Sequence, residues 1–210
     1  MGTWIKICGM TSFGDAHVAY EAGANAIGFI LTPSPRQIEP TGAAAIRAEL
    51  PEELETVGVF TNESAEDILE TAHFIGLSRI QLHGAPRPEL IDRLWREYPL
   101  IQAIPVETDG RFTNAHLELP VQNILLDTSV GGHSGGTGQT FDWSILKQLD
   151  SSRLIVAGGV SATNVHELVV GYRPFGVDAN SKLELAPGVK DHEKIKAFVA
   201  AVRSADQEGS

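Results

Sequence analysis

The chain has 210 residues, of which 42% are hydrophobic, and its formal net charge is −11 at pH 7. A chain of this length can bury a substantial core, and it has no run of 18 apolar residues that would predict a transmembrane helix. The acidic balance and the dispersed Lys and Arg residues argue against binding to nucleic acid or to an anionic membrane.

The sequence also predicts a cytoplasmic protein without a metal. The chain does not open on a basic segment followed by an apolar stretch, and Lys6 stands where a myristoylation signal starting at Gly2 needs Ser or Thr. The single cysteine, Cys8, cannot form an internal disulfide, and no His or Cys residues are grouped at zinc-ligand spacings. Packing must therefore stabilise the fold.

Apolar runs of strand length alternate with stretches of helical periodicity along the chain. The predicted strands cover residues 4–8, 25–31, 55–60, 79–83, 100–106, 121–127, 153–157 and 175–179. The predicted helices cover residues 13–22, 40–50, 64–75, 87–97, 142–149, 161–171 and 190–203, with a weaker stretch near 112–117. Pro40, Ser64 with Asp67, and residues 161–163 mark helix starts.

This alternation predicts parallel strands joined by crossover helices. Eight such units favour a single-domain (β/α)8 TIM barrel over residues 1–203, with a polar C-terminal tail at residues 204–210. An open doubly wound sheet is the competing fold, but no Gly-x-Gly-x-x-Gly motif follows the first strand. Chemistry in a barrel lies at the C-terminal strand ends, so the polar residues there are the candidates for a site.

Cys8 and Asp127 stand at such strand ends. Cys8 precedes the turn at Gly9, which presents a thiol to a cleft, although many free cysteines are simply buried small hydrophobes. Asp127 terminates a largely apolar strand, where a carboxylate facing Cys8 is an acid–base candidate and a solvated aspartate is the ordinary alternative.

Glycines are concentrated after the sixth and seventh strands. Five of the eight residues at 131–138 are glycine, which favours a lid over a ligand against a featureless surface loop. Gly158 and Gly159 allow backbone N–H groups to approach an anion, and the loops after strands seven and eight are the usual phosphate cradle of a barrel. An ordinary tight turn is the alternative there.

Arg36 and His83 are further candidates. Arg36 lies in a loop stiffened by Pro33 and Pro35 and suits bidentate capture of a carboxylate, but it would also fit a solvated surface position. His83 ends the fourth strand and is either a base, a contact for a ligand ring, or a structural histidine.

With these residues assembled, the chain resembles the phosphoribosylanthranilate isomerase family over nearly its whole length. The matching segments are Lys6-Ile7-Cys8-Gly9-Met10-Thr11, Val59-Phe60-Thr61-Asn62-Glu63, Gln81-Leu82-His83-Gly84, Leu126-Asp127-Thr128, Gly135-Gly136-Thr137-Gly138 with Phe141-Asp142-Trp143, Ala157-Gly158-Gly159-Val160, Asn164-Val165, and Pro187-Gly188-Val189-Lys190-Asp191. Each segment is weak evidence alone, but their shared order is specific.

The resemblance implies a cofactor-independent Amadori rearrangement in tryptophan biosynthesis, from N-(5-phosphoribosyl)anthranilate to 1-(2-carboxyphenylamino)-1-deoxyribulose 5-phosphate. It implies that Asp127 is the general acid that protonates the furanose ring oxygen and that Cys8 is the general base that takes the sugar C2 proton. The implied partner is this small phosphorylated aminosugar, bound by a monomer or a homodimer. The implied substrate-binding residues are Arg36 for the carboxylate, His83, and Gly158, Gly159, Asn180, Ser181 and Lys182 for the phosphate.

Two features qualify or extend this resemblance. Lys182 replaces a glycine of the family pattern, which removes easy access to positive φ; its side chain would contact the phosphate, pair with a carboxylate such as Asp127, or point to solvent. Lys6 shares the parity of Cys8 along the first strand, so we expect it to face the interior, pair with Asp178 and help stabilise the thiolate.

Alternatives to this activity are the related isomerase of histidine biosynthesis, or a dual-substrate version of it, and a non-catalytic binder of a phosphorylated ligand. The histidine-pathway enzymes use an aspartate at the end of the first strand, where this chain has Cys8, and a second phosphate cradle of which we find no sign in the sequence. The change at residues 180–182 is what makes the non-catalytic binder a candidate.

Overall fold

The computed structural model describes residues 2–113, 117–130, 133–134 and 139–208. Eight parallel strands are hydrogen-bonded in a closed ring, which confirms the predicted barrel. The barrel strands are β1 (Trp4–Ile7), β2 (Ala26–Ile30), β3 (Glu55–Phe60), β4 (Arg79–Leu82), β5 (Leu100–Glu107), β6 (Asn123–Val130), β7 (Leu154–Val156) and β8 (Gly176–Ala179). Strands β1 and β8 are paired in register, and the β5–β6 pairing completes the ring.

Helices cover the outside of the barrel. They are α1 (Phe13–Ala22), α2 (Pro40–Ala48), α3 (Ala65–Ile75), α4 (Pro88–Trp95), α5 (Val165–Tyr172) and α6 (His192–Glu208). The start predicted at Ser64 is present, because its hydroxyl accepts a hydrogen bond from the Asp67 backbone N–H. Among the described residues, no helix combines the length and apolar character needed to cross a bilayer.

The structure departs from the predicted helices after β5 and β6. Residues 112, 113 and 117 are not helical, and a turn at Gly110, with φ 85°, instead ends the long strand β5. The helix expected at residues 142–149 is a 3-10 helix, Trp143–Gln148, whose N-terminus is capped by Asp142.

The C-terminal segment predicted as a polar tail is largely helical. Helix α6 continues to Glu208 and so includes most of the segment predicted as a polar tail; Ala205 in it is buried, and Asp206 accepts hydrogen bonds from Thr3. The predicted lid at residues 131–138 lies outside the described residues, except for a two-residue strand, His133–Ser134, paired antiparallel with the end of β6.

Apolar side chains fill the lower barrel interior and so leave the site at the opposite end. Trp4, Val57, Ile101, Leu125 and Ile155 form this inner cluster, and a larger cluster lies between the strands and helices. Towards the C-terminal strand ends, the interior side chains become polar, with Lys6, Gln81 and Asp178 all buried. The ends of the strands therefore bring ionisable groups into an environment with little water.

Candidate active site

A cavity of about 310 Å³ opens at the C-terminal ends of the barrel strands. The lining includes every residue that the sequence predicted for the site: Cys8, Arg36, His83, Asp127, Gly158, Gly159, Asn180, Ser181 and Lys182. These residues come from the ends of β1, β2, β4, β6, β7 and β8, and barrel closure brings them together.

Cys8 lies against Lys6 at the base of the cavity. The thiol is 5% exposed, and burial raises its pKa, while the Lys6 ammonium group acts in the opposite direction. The neighbouring strand makes room for both side chains at Gly28, where a Cβ atom would lie 2.7 Å from Cys8 Sγ and 3.1 Å from Lys6 Cε. Cys8 is therefore a thiol with a cation beside it.

Lys6 pairs with Asp178 as the strand parity predicted. The two residues are opposite each other in the β1–β8 register, and Lys6 Nζ lies 2.8 Å from Asp178 Oδ2. Burial acts to lower the pKa of Lys6, but the Asp178 carboxylate and Cys8 raise it above its usual value. Lys6 therefore stays charged although its side chain is fully buried.

Asp127 shares the cavity and is 8% exposed. Burial raises its pKa to about 7, and the Asp178 carboxylate adds to the rise, whereas Lys6 opposes it. A carboxyl group with this pKa still holds its proton in a large fraction of molecules near neutral pH. That property suits a general acid.

His83 is neutral in this site. Burial lowers its pKa to about 4, and the charge of Lys6 contributes to the decrease. The Gln81 amide Nε2 lies 2.8 Å from His83 Nε2, and since an amide nitrogen donates, the ring nitrogen accepts. His83 therefore carries its proton on Nδ1, the form that can donate one hydrogen bond from the ring.

Two buried acceptors in the cavity have no hydrogen-bond partner among the described residues. These are Gln81 Oε1 and Asp178 Oδ1, and both side chains line the cavity. Leaving a buried acceptor unpaired is costly, so both atoms favour a ligand that carries hydroxyl or N–H donors. Sequence reasoning missed Gln81, although its parity with His83 along β4 was a usable signal.

The Gly158–Gly159 turn has backbone conformations that require glycine. Their φ angles are 75° and 67°, and a Cβ atom on Gly158 would clash with Thr128. Asn164 holds this turn, because its Nδ2 donates to Gly159 O at 3.1 Å and its Oδ1 accepts from Ser161 N at 2.8 Å. The turn is thus a fixed, side-chain-free wall of the cavity.

The loop after β8 accommodates Lys182 without strain. Ser181–Leu183 form a 3-10 helix, and Arg173 is the only non-glycine residue with positive φ within the described part of the chain. The expected cost of losing glycine at position 182 is therefore absent. Lys182 is exposed at the cavity rim and forms no ion pair with Asp127 or any other described residue.

Arg36 is held by a contact that the sequence did not predict. Its Nε and Nη2 donate to the Glu184 carboxylate, with the shortest distance 2.8 Å from Nη2 to Oε2. Glu184 also lies 3.0 Å from Lys190 Nζ. Arg36 and Glu184 are 148 positions apart in the sequence, so no local sequence pattern predicts this contact.

Comparison with known proteins decides the family. Residues 5–201 match the family model described as N-(5'phosphoribosyl)anthranilate (PRA) isomerase. The chain belongs to the N-(5'-phosphoribosyl)anthranilate isomerase family. It is therefore an isomerase of tryptophan biosynthesis.

Individual relatives match this chain over nearly their whole length. The N-(5'-phosphoribosyl)anthranilate isomerase of Magnetococcus marinus is 42% identical over 212 residues, covering 100% of this chain and 99% of the relative. The crystal structure of phosphoribosyl anthranilate isomerase from Thermotoga maritima matches with a TM-score of 0.88 and 39% identity, covering 96% of this chain and 99% of that one.

One related structure also contains a ligand. It is a phosphoribosyl anthranilate isomerase in complex with reduced 1-(O-carboxyphenylamino)-1-deoxyribulose 5-phosphate, with 37% identity, a TM-score of 0.85, and coverage of 96% of this chain and 99% of that one.

Proposed function

We propose that this chain converts N-(5-phosphoribosyl)anthranilate to 1-(2-carboxyphenylamino)-1-deoxyribulose 5-phosphate, with Asp127 as general acid and Cys8 as general base. The observation that carries the assignment is the buried pair of proton carriers in one cavity, with the pKa of Asp127 at about 7 and Cys8 beside the Lys6 cation. The related complex with a reduced form of this product supports the choice of ligand.

The first step opens the sugar ring. Asp127 gives its proton to the ring oxygen as the bond from that oxygen to C1 breaks, and the anthranilate nitrogen supplies the electron pair that forms the Schiff base. The protonated Schiff base withdraws electrons from C2 and so acidifies the C2 proton. Burial of Asp127 favours its protonated form before this step.

The second step removes the C2 proton. The Cys8 thiolate accepts it, the electrons move into the C1–C2 bond, and the resulting enolamine tautomerises to the ketose. Burial opposes thiolate formation, but Lys6 stabilises the anion, and the positive Schiff base adds a second cation when substrate is bound. Lys6 is thus a positioning and electrostatic partner of Cys8, anchored by Asp178.

The remaining cavity residues bind the substrate. The Gly158–Gly159 turn with Asn180 and Ser181 would hold the phosphate, and exposed Lys182 would add a point charge at the rim. Arg36 would bind the anthranilate carboxylate, and Gln81 Oε1 and Asp178 Oδ1 would accept hydrogen bonds from sugar hydroxyl or N–H groups. His83 contributes a ring contact. We expect a monomer or homodimer, which light scattering measures.

Turnover of N-(5-phosphoribosyl)anthranilate followed by fluorescence tests the two roles. We expect Cys8→Ser and Asp127→Asn each to lower kcat by about 100-fold or more, because each removes one proton transfer. Asp92→Asn, at an exposed position on α4, is the matched control and should keep full activity. Near-normal turnover of either cavity variant would refute its role, and tight ligand binding without wild-type turnover would indicate a non-catalytic binder.

A further inference from the structure

Glu184 lies between two basic groups at the edge of the cavity. Arg36 Nε donates to Oε1 at 2.9 Å and to Oε2 at 3.0 Å, and Nη2 donates to Oε2 at 2.8 Å. Lys190 Nζ lies 3.0 Å from Oε1. The Glu184 side chain is 4% exposed and that of Lys190 is fully buried, so water screens these charges weakly.

These contacts occupy only the side edge of the guanidinium, formed by Nε and Nη2. The end edge, formed by Nη1 and the second N–H of Nη2, has no partner among the described residues, and Arg36 lines the cavity. A guanidinium binds a carboxylate most specifically through two parallel N–H groups on one edge. The end edge supplies such a pair while Glu184 keeps the other.

Glu184 is itself anchored. Lys190 Nζ donates to Asn180 Oδ1 at 2.8 Å as well as to Glu184, which ties this carboxylate to the loop after β8. With both basic groups protonated, the three charges of Arg36, Glu184 and Lys190 sum to +1 and attract an anion. The proline-stiffened loop orders the Arg36 backbone, but the long side chain keeps its own rotational freedom unless a partner holds it.

We propose that Glu184 is a positioning residue that orients Arg36 so that the free edge of its guanidinium receives the aromatic carboxylate of the substrate. The proposal rests on the proposed function, in which Arg36 binds that carboxylate. Holding the guanidinium in place before binding removes part of the ordering cost from the binding step. The effect of Glu184 should therefore depend on whether the ligand carries the carboxylate.

The test measures Kd for two ligands. One is reduced 1-(O-carboxyphenylamino)-1-deoxyribulose 5-phosphate, and the other is the same compound without the carboxylate. We expect Glu184→Gln to raise Kd for the first by about tenfold and for the second by less than about twofold. Glu193→Gln, at a side chain 82% exposed on α6, is the matched control and should change neither.

The outcomes separate the proposal from the function on which it rests. If Glu184→Gln weakens both ligands equally, or neither, Glu184 does not act through Arg36. If Arg36→Met also fails to distinguish the ligands, the carboxylate assignment of Arg36 is wrong as well. In the Arg36→Met background, Glu184→Gln should have no further effect on the carboxylated ligand.

A second variant covers a failure to fold. Glu184→Gln removes the ion pair of buried Lys190 and can therefore unfold the chain, whereas Glu184→Asp keeps the charge on a shorter side chain. We expect Glu184→Asp to weaken only the carboxylated ligand, by about threefold to tenfold. Equal Kd changes for both ligands with this variant would overturn the proposal.

Discussion

Burial acts in the same direction on Cys8 and Asp127, but it has opposite consequences for their proposed roles. It raises the pKa of both groups, which keeps a proton on the acid and also keeps one on the base. Lys6 offsets this effect for Cys8, and the ion pair with Asp178 keeps Lys6 charged. The same low-water environment that prepares the acid therefore requires a buried cation for the base.

The raised pKa of Asp127 predicts how activity varies with pH. In the free enzyme Asp127, with a pKa of about 7, must hold a proton, whereas Cys8, with a pKa raised by burial, must have lost one, so kcat/KM should rise with pH up to about 7 and then level off. Values of kcat/KM measured from about pH 5.5 to about pH 9 show whether the slope changes near pH 7. A kcat/KM that keeps rising with the same slope through about pH 7 would contradict the role of Asp127 as the acid.

The same group makes folding stability depend on pH. Its folded pKa of about 7 exceeds the ordinary 3.8, so its contribution is complete below pH 3.8 and is lost as pH rises through 7. Asp127→Asn has no such loss, so its stability relative to the wild type should improve by on the order of 2–4 kcal/mol between about pH 4 and pH 9. Urea unfolding at both pH values measures the difference, which would be constant if Asp127 were not buried as a neutral acid.

Strand β2 contributes to the site through Gly28, which has no side chain. Gly28 faces Cys8 and Lys6, and only a hydrogen atom fits there without displacing the thiol. A glycine inside a strand is a recognised sign that another group approaches closely, so the sequence did contain a signal for this position. The strand thus determines where Cys8 Sγ lies in the cavity.

Gly28→Ala should move the thiol and reduce activity. We expect kcat to fall by about tenfold, with a loss of about 1–3 kcal/mol in the free energy of unfolding from overpacking. Gly14→Ala is the matched control. Gly14 lies in helix α1, and a Cβ atom at this position would meet no other atom within 4 Å. Unchanged kcat in Gly28→Ala would mean that the position of Cys8 Sγ tolerates displacement.

At the scale of the whole molecule, hydrogen bonds join the segment before β1 to the end of α6, on the side of the barrel opposite the cavity. Thr3 N and Thr3 Oγ1 donate to Asp206 Oδ1 at 3.0 and 2.6 Å, and Arg203 Nη1 donates to Thr3 O at 2.7 Å. Because β1 lies between β2 and β8, these bonds fix the strand that carries Cys8 in the closed ring.

Removing the hydrogen bonds between Thr3 and Asp206 should lower stability more than activity. Asp206→Ala leaves the buried Thr3 hydroxyl and N–H without these partners and should cost about 1–3 kcal/mol in the free energy of unfolding. Glu208→Ala removes only an exposed pair with His166 and should stay within about 0.5 kcal/mol of the wild type. Thermal and urea unfolding compare the two, and equal losses would show that the Thr3 contacts do not stabilise the barrel.

The sequence by itself determined the barrel and many of the residues that line the cavity, although not Gln81. Periodic apolar runs are local signals, and parallel strands that close a ring must present their C-terminal ends together, so Cys8, Asp127 and Gly158 were predictable as neighbours. Strand parity and closure likewise predicted the Lys6–Asp178 pair. Local signals failed at residues 112, 113 and 117, which are not helical, and at residues 142–149, where a 3-10 helix replaces the predicted α-helix.

Only the tertiary structure decided the charges and the orientation of the side chains. The pKa of Asp127 depends on how much water the assembled barrel excludes, which no stretch of sequence specifies. The contact of Glu184 with Arg36 joins the start of the chain to its last quarter, and the space for Cys8 depends on a neighbouring strand. Desolvation and long-range contacts arise from packing in three dimensions. The local sequence therefore does not predict them, and they form only when the barrel closes.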